Sequence, residues 1–418
     1  MRKRAPALAL AVVAALALPS FAQTPTPESW KSAVDRVLKE QARAIGSGDE
    51  AAFRSTIAGG DPAFVRRSLT MFQRLRALPV ARLDFRRDPN GFEDLARALP
   101  RTVRGNEVHL VQVVQRLWLR GFDRDPDVEG AFLTVVRRGS RWTIFDDEDV
   151  DDLGLQSARG LWDFGPLRLA RGANTLALFH PVDRGAATRM LEDLRRGIAR
   201  TKRAWPYPWD GRVVLAVPDS AAELERIFQS TFDLSPFVAF TSSSVERTPS
   251  GWRLSGHRIY VQPDNFFRYG ATQRMTYLGH ELLHYATRAY SGPFVPAWFE
   301  EGVAQFYGEP PRSLPTLARR VVTRTFDGRL PEDWEFTVGS KADIQNSYEE
   351  SLSFAAYLAD RFGRGAPARL YRALGATPPE SPGTARYHLD RVARSVLGAT
   401  FASLELDWAA AVRGRSAG

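Results

Sequence analysis

The sequence predicts an α+β protein in two units: helices followed by an antiparallel sheet, then strands and helices that give way to a wholly helical end. Three observations carry this. Apolar residues recur at helical spacing from Trp30 to Leu78, and from Val80 to about residue 155 they form strand-length runs. From residue 186 to 288 strand and helix patterns alternate, and beyond residue 296 only helical ones remain. Cysteine is absent from all 418 residues, so neither disulfides nor thiolate-bound metals hold the fold, and stability must come from burial.

The elements follow in order. Arg2, Lys3 and Arg4 precede the uncharged run Ala7 to Leu18 and then Ser20-Phe21-Ala22, the layout of a cleaved secretory signal. The run falls short of the roughly 20 apolar residues that cross a bilayer. Residues 1–22 are therefore expected to be a signal peptide, with a mature chain starting near Gln23 that is periplasmic or secreted and not stably inserted in a membrane. A short Pro-containing linker (23–27) leads into the N-terminal unit, residues 28–157. There Trp30, Val34, Val37, Leu38 and Ile45 mark a helix stopped by "GSGD" (46–49), and a second amphipathic stretch spans Phe64 to Leu78. The strands are "VARLDF", "EVHLVQVVQRLWLRGF", "GAFLTVVRRG" and "RWTIFDDE", with a tight hairpin at Gly139-Ser140. His109 lies within one of them and reads as a structural histidine.

A connecting segment (158–180) contains the strand "NTLALF", and the second unit spans 181–418. Its expected elements are a helix from Ala186 to Ala204, a buried strand in "GRVVLAVPDS", a helix from Ala221 to Phe228, strands in "PFVAFTSS" and "HRIYVQP", and a helix from about Thr272. Gly and Pro stops at 308–311, 328–331 and 378–383 divide the helical remainder. The net charge of +9 falls to about +6 without Arg2, Lys3 and Arg4, and the arginines are interspersed with Asp and Glu. No basic stripe with interleaved aromatics and no nucleic-acid motif is present, so a nucleic-acid partner is not expected.

The chemistry concentrates in "GHELLHYATR" (279–288). On a helix, residues four apart share a face with Cβ atoms about 6 Å apart, so His280 and His284 can point at one ion. For zinc the ligand distances are about 2.0–2.1 Å. Glu281 projects about 100° round the helix, beside the metal rather than on it, where a base must sit to take a proton from metal-bound water. The surrounding residues, Leu278, Leu282, Leu283 and Tyr285 among them, are apolar, and burying two imidazoles and a carboxylate there without partners is costly. A metal relieves that cost. The third ligand is expected from "GPFVPAWFEEGVAQFYGEPP" (292–311). Glu300 and Glu301 are adjacent, so only one can face inward. Glu301 is chosen because Gly302 beside it removes a side chain where this helix should approach the motif helix; Glu300 is expected in solvent. Two His and one Glu leave a fourth position open, as in catalytic sites for a single zinc ion.

His-Glu-x-x-His followed, after residues 285–300, by the Glu of "PAWFEEG" resembles the gluzincin metallopeptidases, in particular the bacterial peptidase-MA-like group with a Pro-x-Trp-x-x-Glu-Gly element. The resemblance implies zinc ligands at His280, His284 and Glu301 and a general base at Glu281. It also implies a small mixed sheet against the motif helix, whose edge strand, "PFVAFTSS" or "RIYVQP", binds an extended peptide. Gluzincins often place a carboxylate four residues after the Glu ligand to orient a zinc-bound His; here that position is Gln305. They also use a downstream Tyr or His to stabilise the oxyanion. Tyr348 is the candidate, with Tyr387 and His388 as alternatives. "GDEAAF", the long strands and the "GSRWTI" hairpin resemble a cone-shaped nuclear-transport-factor-2-like domain, which implies that fold for the N-terminal unit.

The expected function is thus an exported zinc metallopeptidase acting on a peptide or protein substrate. The alternative is a catalytically weak or silent zinc-fold protein that binds or assembles in the cell envelope. A polyanion-binding protein is a third reading, which steep salt dependence would reveal.

Overall fold

The computed structural model describes residues 29–91, 107–180, 184–229, 233–248, 251–288, 290, 292–322, 326–376, 378 and 385–416. The expected signal peptide, the linker at 23–27 and most of the stop at 378–383 lie outside the described residues.

The architecture is mixed α+β. Three helices open the chain: α1 (Trp30–Ser47), α2 (Glu50–Thr56) and α3 (Pro62–Leu75). The "GSGD" stop works through Gly48, which ends α1 in the left-handed region at φ 74, and Asp49, whose carboxylate accepts the Ala52 N–H to start α2. The first sheet follows as β1 (Val80–Arg87), β2 (Glu107–Leu119), β3 (Asp127–Arg138) and β4 (Arg141–Asp146), antiparallel in that order. Gly139, at φ 61, makes the expected hairpin. Alternate residues of β2 and β3, including Val111, Val113, Leu133 and Val135, face α1–α3 around the fully buried Phe53 and Phe72. His109 stacks on Trp30 at 4.0 Å between ring centroids and pairs with Glu107, a structural role.

Next come α4 (Leu161–Phe164), β5 (Arg168–Arg171) and β6 (Thr175–Phe179). The segment expected to connect the units thus supplies two strands of the second sheet. After them lie α5 (Arg184–Ala204), β7 (Val213–Val217), α6 (Ala221–Phe228), β8 (Ala239–Thr248) and β9 (Gly251–Val261). The sheet order is β5-β6-β7-β9-β8, with β6–β7 and β7–β9 parallel and the outer pairs antiparallel. β6 and β7 are buried at every position. One face of them, including Leu176, Leu178, Val214 and Ala216, completes the core of the first sheet. The other, including Ala177, Leu215 and Val217, packs with Leu194 and Leu282.

β8 and β9 form one long hairpin where the sequence predicts two shorter strands. Its outer half carries Ser, Arg and Glu rather than an apolar pattern, and polar contacts to the first sheet order it. Arg116 pairs with Glu246, Arg253 bonds Asp125 at 2.7 Å, and the Val128 N–H donates to Ser244 Oγ at 2.8 Å. Deeper in, Arg258 is only 4% exposed and donates through both Nη atoms to the Asp123 carboxylate at 2.7 Å.

The chain ends in α7 (Pro263–Phe266), α8 (Ala271–Arg288), α9 (Ala297–Gly308), α10 (Leu314–Val321), α11 (Lys341–Phe362), α12 (Ala366–Ala376), α13 (Ala385–Leu397) and α14 (Phe401–Ser416). Trp298, Phe299, Phe354, Tyr371 and Trp408 anchor their core. No described helix is long and apolar enough to cross a membrane.

Two stability outcomes follow from buried polar pairs. Asp123→Ala leaves Arg258 buried without its bidentate partner, and urea unfolding should show a loss of about 3–5 kcal/mol. His180, at the end of β6, lies 2.8 Å from Glu223 Oε1. The Glu223 carboxylate raises the His180 pKa above 6.5 against the opposing effect of burial. Protonated His180 therefore stabilises the fold fully below about pH 6.5, and this contribution is lost as pH rises through the raised native value. Unfolding measured at stepped pH should show that alkaline loss in the parent and its absence in His180→Gln.

Candidate metal centre

The centre is built on two helices whose backbones touch. A Cβ on Gly279 of α8 would fall closer than 3.0 Å to the Gly308 carbonyl of α9, and one on Gly308 would collide with the Gly279 carbonyl. Only glycine at both positions permits this approach. Gly302, expected to serve it, faces the other way: its missing Cβ makes room for the Ser351 carbonyl of α11. That expectation is corrected. α9 is buried on several faces, with α8 on one side and α11 on another, and it spends one glycine on each contact.

From this crossing the three expected ligands converge. His280, His284 and Glu301 each offer an atom, all within 4.8 Å of one another, and the group could hold a metal ion. His280 Nε2 lies 3.1 Å from His284 Nε2 and 3.0 Å from Glu301 Oε2, and His284 Nε2 is 3.5 Å from Glu301 Oε1. Ligands about 2.0–2.1 Å from one ion in a tetrahedral array stand about 3.3 Å apart, so these separations suit a common cation. Glu301 Oε2 is buried without a hydrogen bond although His280 Nε2 is close by, which is the arrangement of atoms aimed at a shared point. Electrostatics agree. Burial opposes charge on both groups, yet the Glu301 and Glu309 carboxylates raise the His280 pKa well above 6.5, while His284 and His280 hold the Glu301 carboxyl below its ordinary range. The site favours a positive charge between these side chains.

Glu281 stands apart from the ligand set. It is buried, and Thr241 of β8 places its hydroxyl 2.8 Å from Glu281 Oε2 and 2.9 Å from the Glu281 carbonyl. A single hydroxyl hydrogen serves one of these acceptors at a time. Arg288, farther along α8, donates to the Thr241 carbonyl at 2.7 Å and to Ser243 Oγ at 2.9 Å. Strand β8 is thereby tied to the helix that carries the site.

Sequence reasoning missed Glu309. Its Oε1 lies 3.4 Å from His280 Nδ1, while Arg312 grips its Oε2 at 3.0 Å and is itself bonded to the buried Glu349. Glu309 thus places a carboxylate beside His280, whereas the side-chain oxygen of Gln305 is buried without a partner. A carboxylate just past the C-terminal Gly308 was a visible signal only once the crossing was known. Glu300 is not simply solvated either: the Tyr371 hydroxyl donates to it at 3.2 Å.

Tyr348 on α11 stands beside the centre, its ring centroid 6.5 Å from that of His280. Burial, then the charges of Glu301, Glu281 and Glu309, raise its pKa above 10, so it stays a hydrogen-bond donor. Tyr387 is 64% exposed on α13, and His388 is buried against Arg391. Neither is brought to the centre by any described contact. Comparison of the chain with protein families and with curated proteins finds no match.

If Glu309 orients His280, Glu309→Gln should weaken divalent-metal binding about 10–100-fold in competition with a chelating dye. An unchanged affinity would remove Glu309 from the centre.

Proposed function

We propose that the protein is an exported zinc metallopeptidase of gluzincin type, with a nuclear-transport-factor-2-like N-terminal unit. The observation that carries this reading is the convergence of His280, His284 and Glu301 with the separate, Thr241-held carboxylate of Glu281. Two imidazoles and one carboxylate are a donor set suited to zinc, and they leave room for a further ligand. Zinc bound there supplies Lewis acidity to a substrate carbonyl and makes water a nucleophile at neutral pH.

The chain's own residues do the rest. Glu281 takes a proton from the attacking water and returns it to the leaving amine, so one water is consumed per peptide bond. Thr241 fixes the carboxylate that makes this transfer. The Tyr348 hydroxyl donates to the oxyanion that develops on the carbonyl, aided by a raised pKa that keeps its proton in place. β8 is the edge strand of the second sheet and β9 lies inside it, so β8 is where an extended substrate backbone would align. The substrate is a peptide or protein.

Cleavage of a peptide library by the zinc-loaded protein, with and without chelator, tests the reading directly. Glu281→Gln should retain one zinc ion and lose at least about 10²–10⁴ in rate. Tyr348→Phe should lower kcat about 10²–10³ with KM little changed. Full hydrolysis by Glu281→Gln would sink the mechanism, and zinc binding without any cleavage would favour a silent binding protein.

A further inference from the structure

Behind the metal centre a chain of ion pairs leads from His280 to α11. It starts in Gly308-Glu309-Pro310-Pro311-Arg312-Ser313, which joins the end of α9 to the start of α10. Two successive prolines have fixed φ and no N–H, so the link between Glu309 and Arg312 has few conformations open to it. The two charged residues pair across it, Arg312 Nη2 donating to Glu309 Oε2 at 3.0 Å.

Arg312 uses its two terminal nitrogens for different partners. While Nη2 takes Glu309, Nη1 donates to both oxygens of Glu349, at 3.0 and 3.1 Å. Glu349 is 6% exposed on α11, one residue beyond Tyr348, and Arg320 of α10 reaches it at 2.9 Å. A planar guanidinium joins two carboxylates at fixed angles, which an ammonium on a flexible stem does not. The remaining oxygen of the first carboxylate, Glu309 Oε1, is the one turned to the centre, 3.4 Å from His280 Nδ1. The opposite ring nitrogen, Nε2, faces Glu301 and His284. A carboxylate on the Nδ1–H fixes both the rotation and the tautomer of the ring, leaving the Nε2 lone pair for an ion.

Such a network also fastens α10 to α11, and charge separates that role from positioning. Arg312 is a cation close to a group that could hold another cation, so its charge by itself opposes metal binding. A residue that supplied only charge or helix packing could be neutralised with metal affinity unchanged or raised. A residue that aims Glu309 cannot.

We propose that Arg312 is a positioning residue of the metal centre: clamped by Glu349, it holds Glu309 with one oxygen on the His280 Nδ1–H and so keeps Nε2 aimed at the ion. The proposal rests on the metal centre of the function proposed above and not on peptide cleavage.

Zinc affinity of the full protein, measured by competition with a chelating dye, tests this without recourse to activity. Arg312→Gln should weaken zinc binding at least about tenfold, even though a repelling cation has been removed. Arg312→Lys keeps the charge but not the fork, and should weaken it at least about threefold. In a Glu309→Gln background either change should move the affinity less than about twofold, because the carboxylate being positioned is gone. Thermal unfolding of the metal-free proteins checks that each variant folds cooperatively, and Arg312→Lys carries the comparison should Arg312→Gln not fold. Zinc affinity equal to or above the parent's in the folded Arg312 variants would overturn the proposal, as would a loss of the same size with and without Glu309. A parent that binds no zinc would overturn the centre and this proposal together, whereas absence of cleavage bears on the peptidase reading alone.

Discussion

The contact between Gly279 and Gly308 governs the rest of the second unit. Two helix backbones meet there without side chains between them, and the geometry of the centre is set by distance from that point. His280 and Glu309 lie just beside it. Glu301 lies about two helical turns earlier on α9, where it reaches both His280 and His284. Helices held apart by ordinary side chains would stand about 8–10 Å between axes. A closer approach lets short groups, two imidazoles and a glutamate, span the gap. The cost of enclosing them falls on electrostatics, and a shared positive charge offsets it.

A second constraint couples the two units. Because β6 and β7 bury both faces, the second sheet is a wall common to two cores, and neither core is complete without it. The β8–β9 hairpin extends this coupling outward. Asp123 and Asp127, at the turn between β2 and β3, meet Arg258 and Ser244 of the hairpin, and three residues before Ser244 is Thr241, which holds Glu281. The orientation of Glu281 is thus referred, through one strand, to the first sheet.

Much of the fold was legible from local pattern. The helix from Ala221 to Phe228, the turn at Gly139 and the stop at Gly48 follow from periodicity and from residues that tolerate positive φ. The long hairpin was not legible, because its outer half is polar and is ordered by ion pairs with residues more than a hundred positions away, such as Arg253 with Asp125. Nor was it possible to choose between β8 and β9 as the edge, since both read as strands and only the parallel pairing of β9 with β7 decides it.

At the centre, the sequence by itself picked out the three residues that could hold a metal ion. His280 and His284 share a helical face by spacing, Glu281 is rotated away from them, and Glu301 is the inward member of an adjacent pair. These are properties of a single helix or of two neighbours in sequence. Tertiary structure alone decided which glycine touches which helix, moving the α8 contact from Gly302 to Gly308. It decided that Glu309 rather than Gln305 accompanies His280, and that Tyr348 rather than Tyr387 or His388 stands nearby. Each of these depends on the rotation and crossing of packed helices, and a change of one residue in register turns a helical side chain by about 100°. Local spacing cannot carry that information, because it resides in the contact between elements rather than in either element.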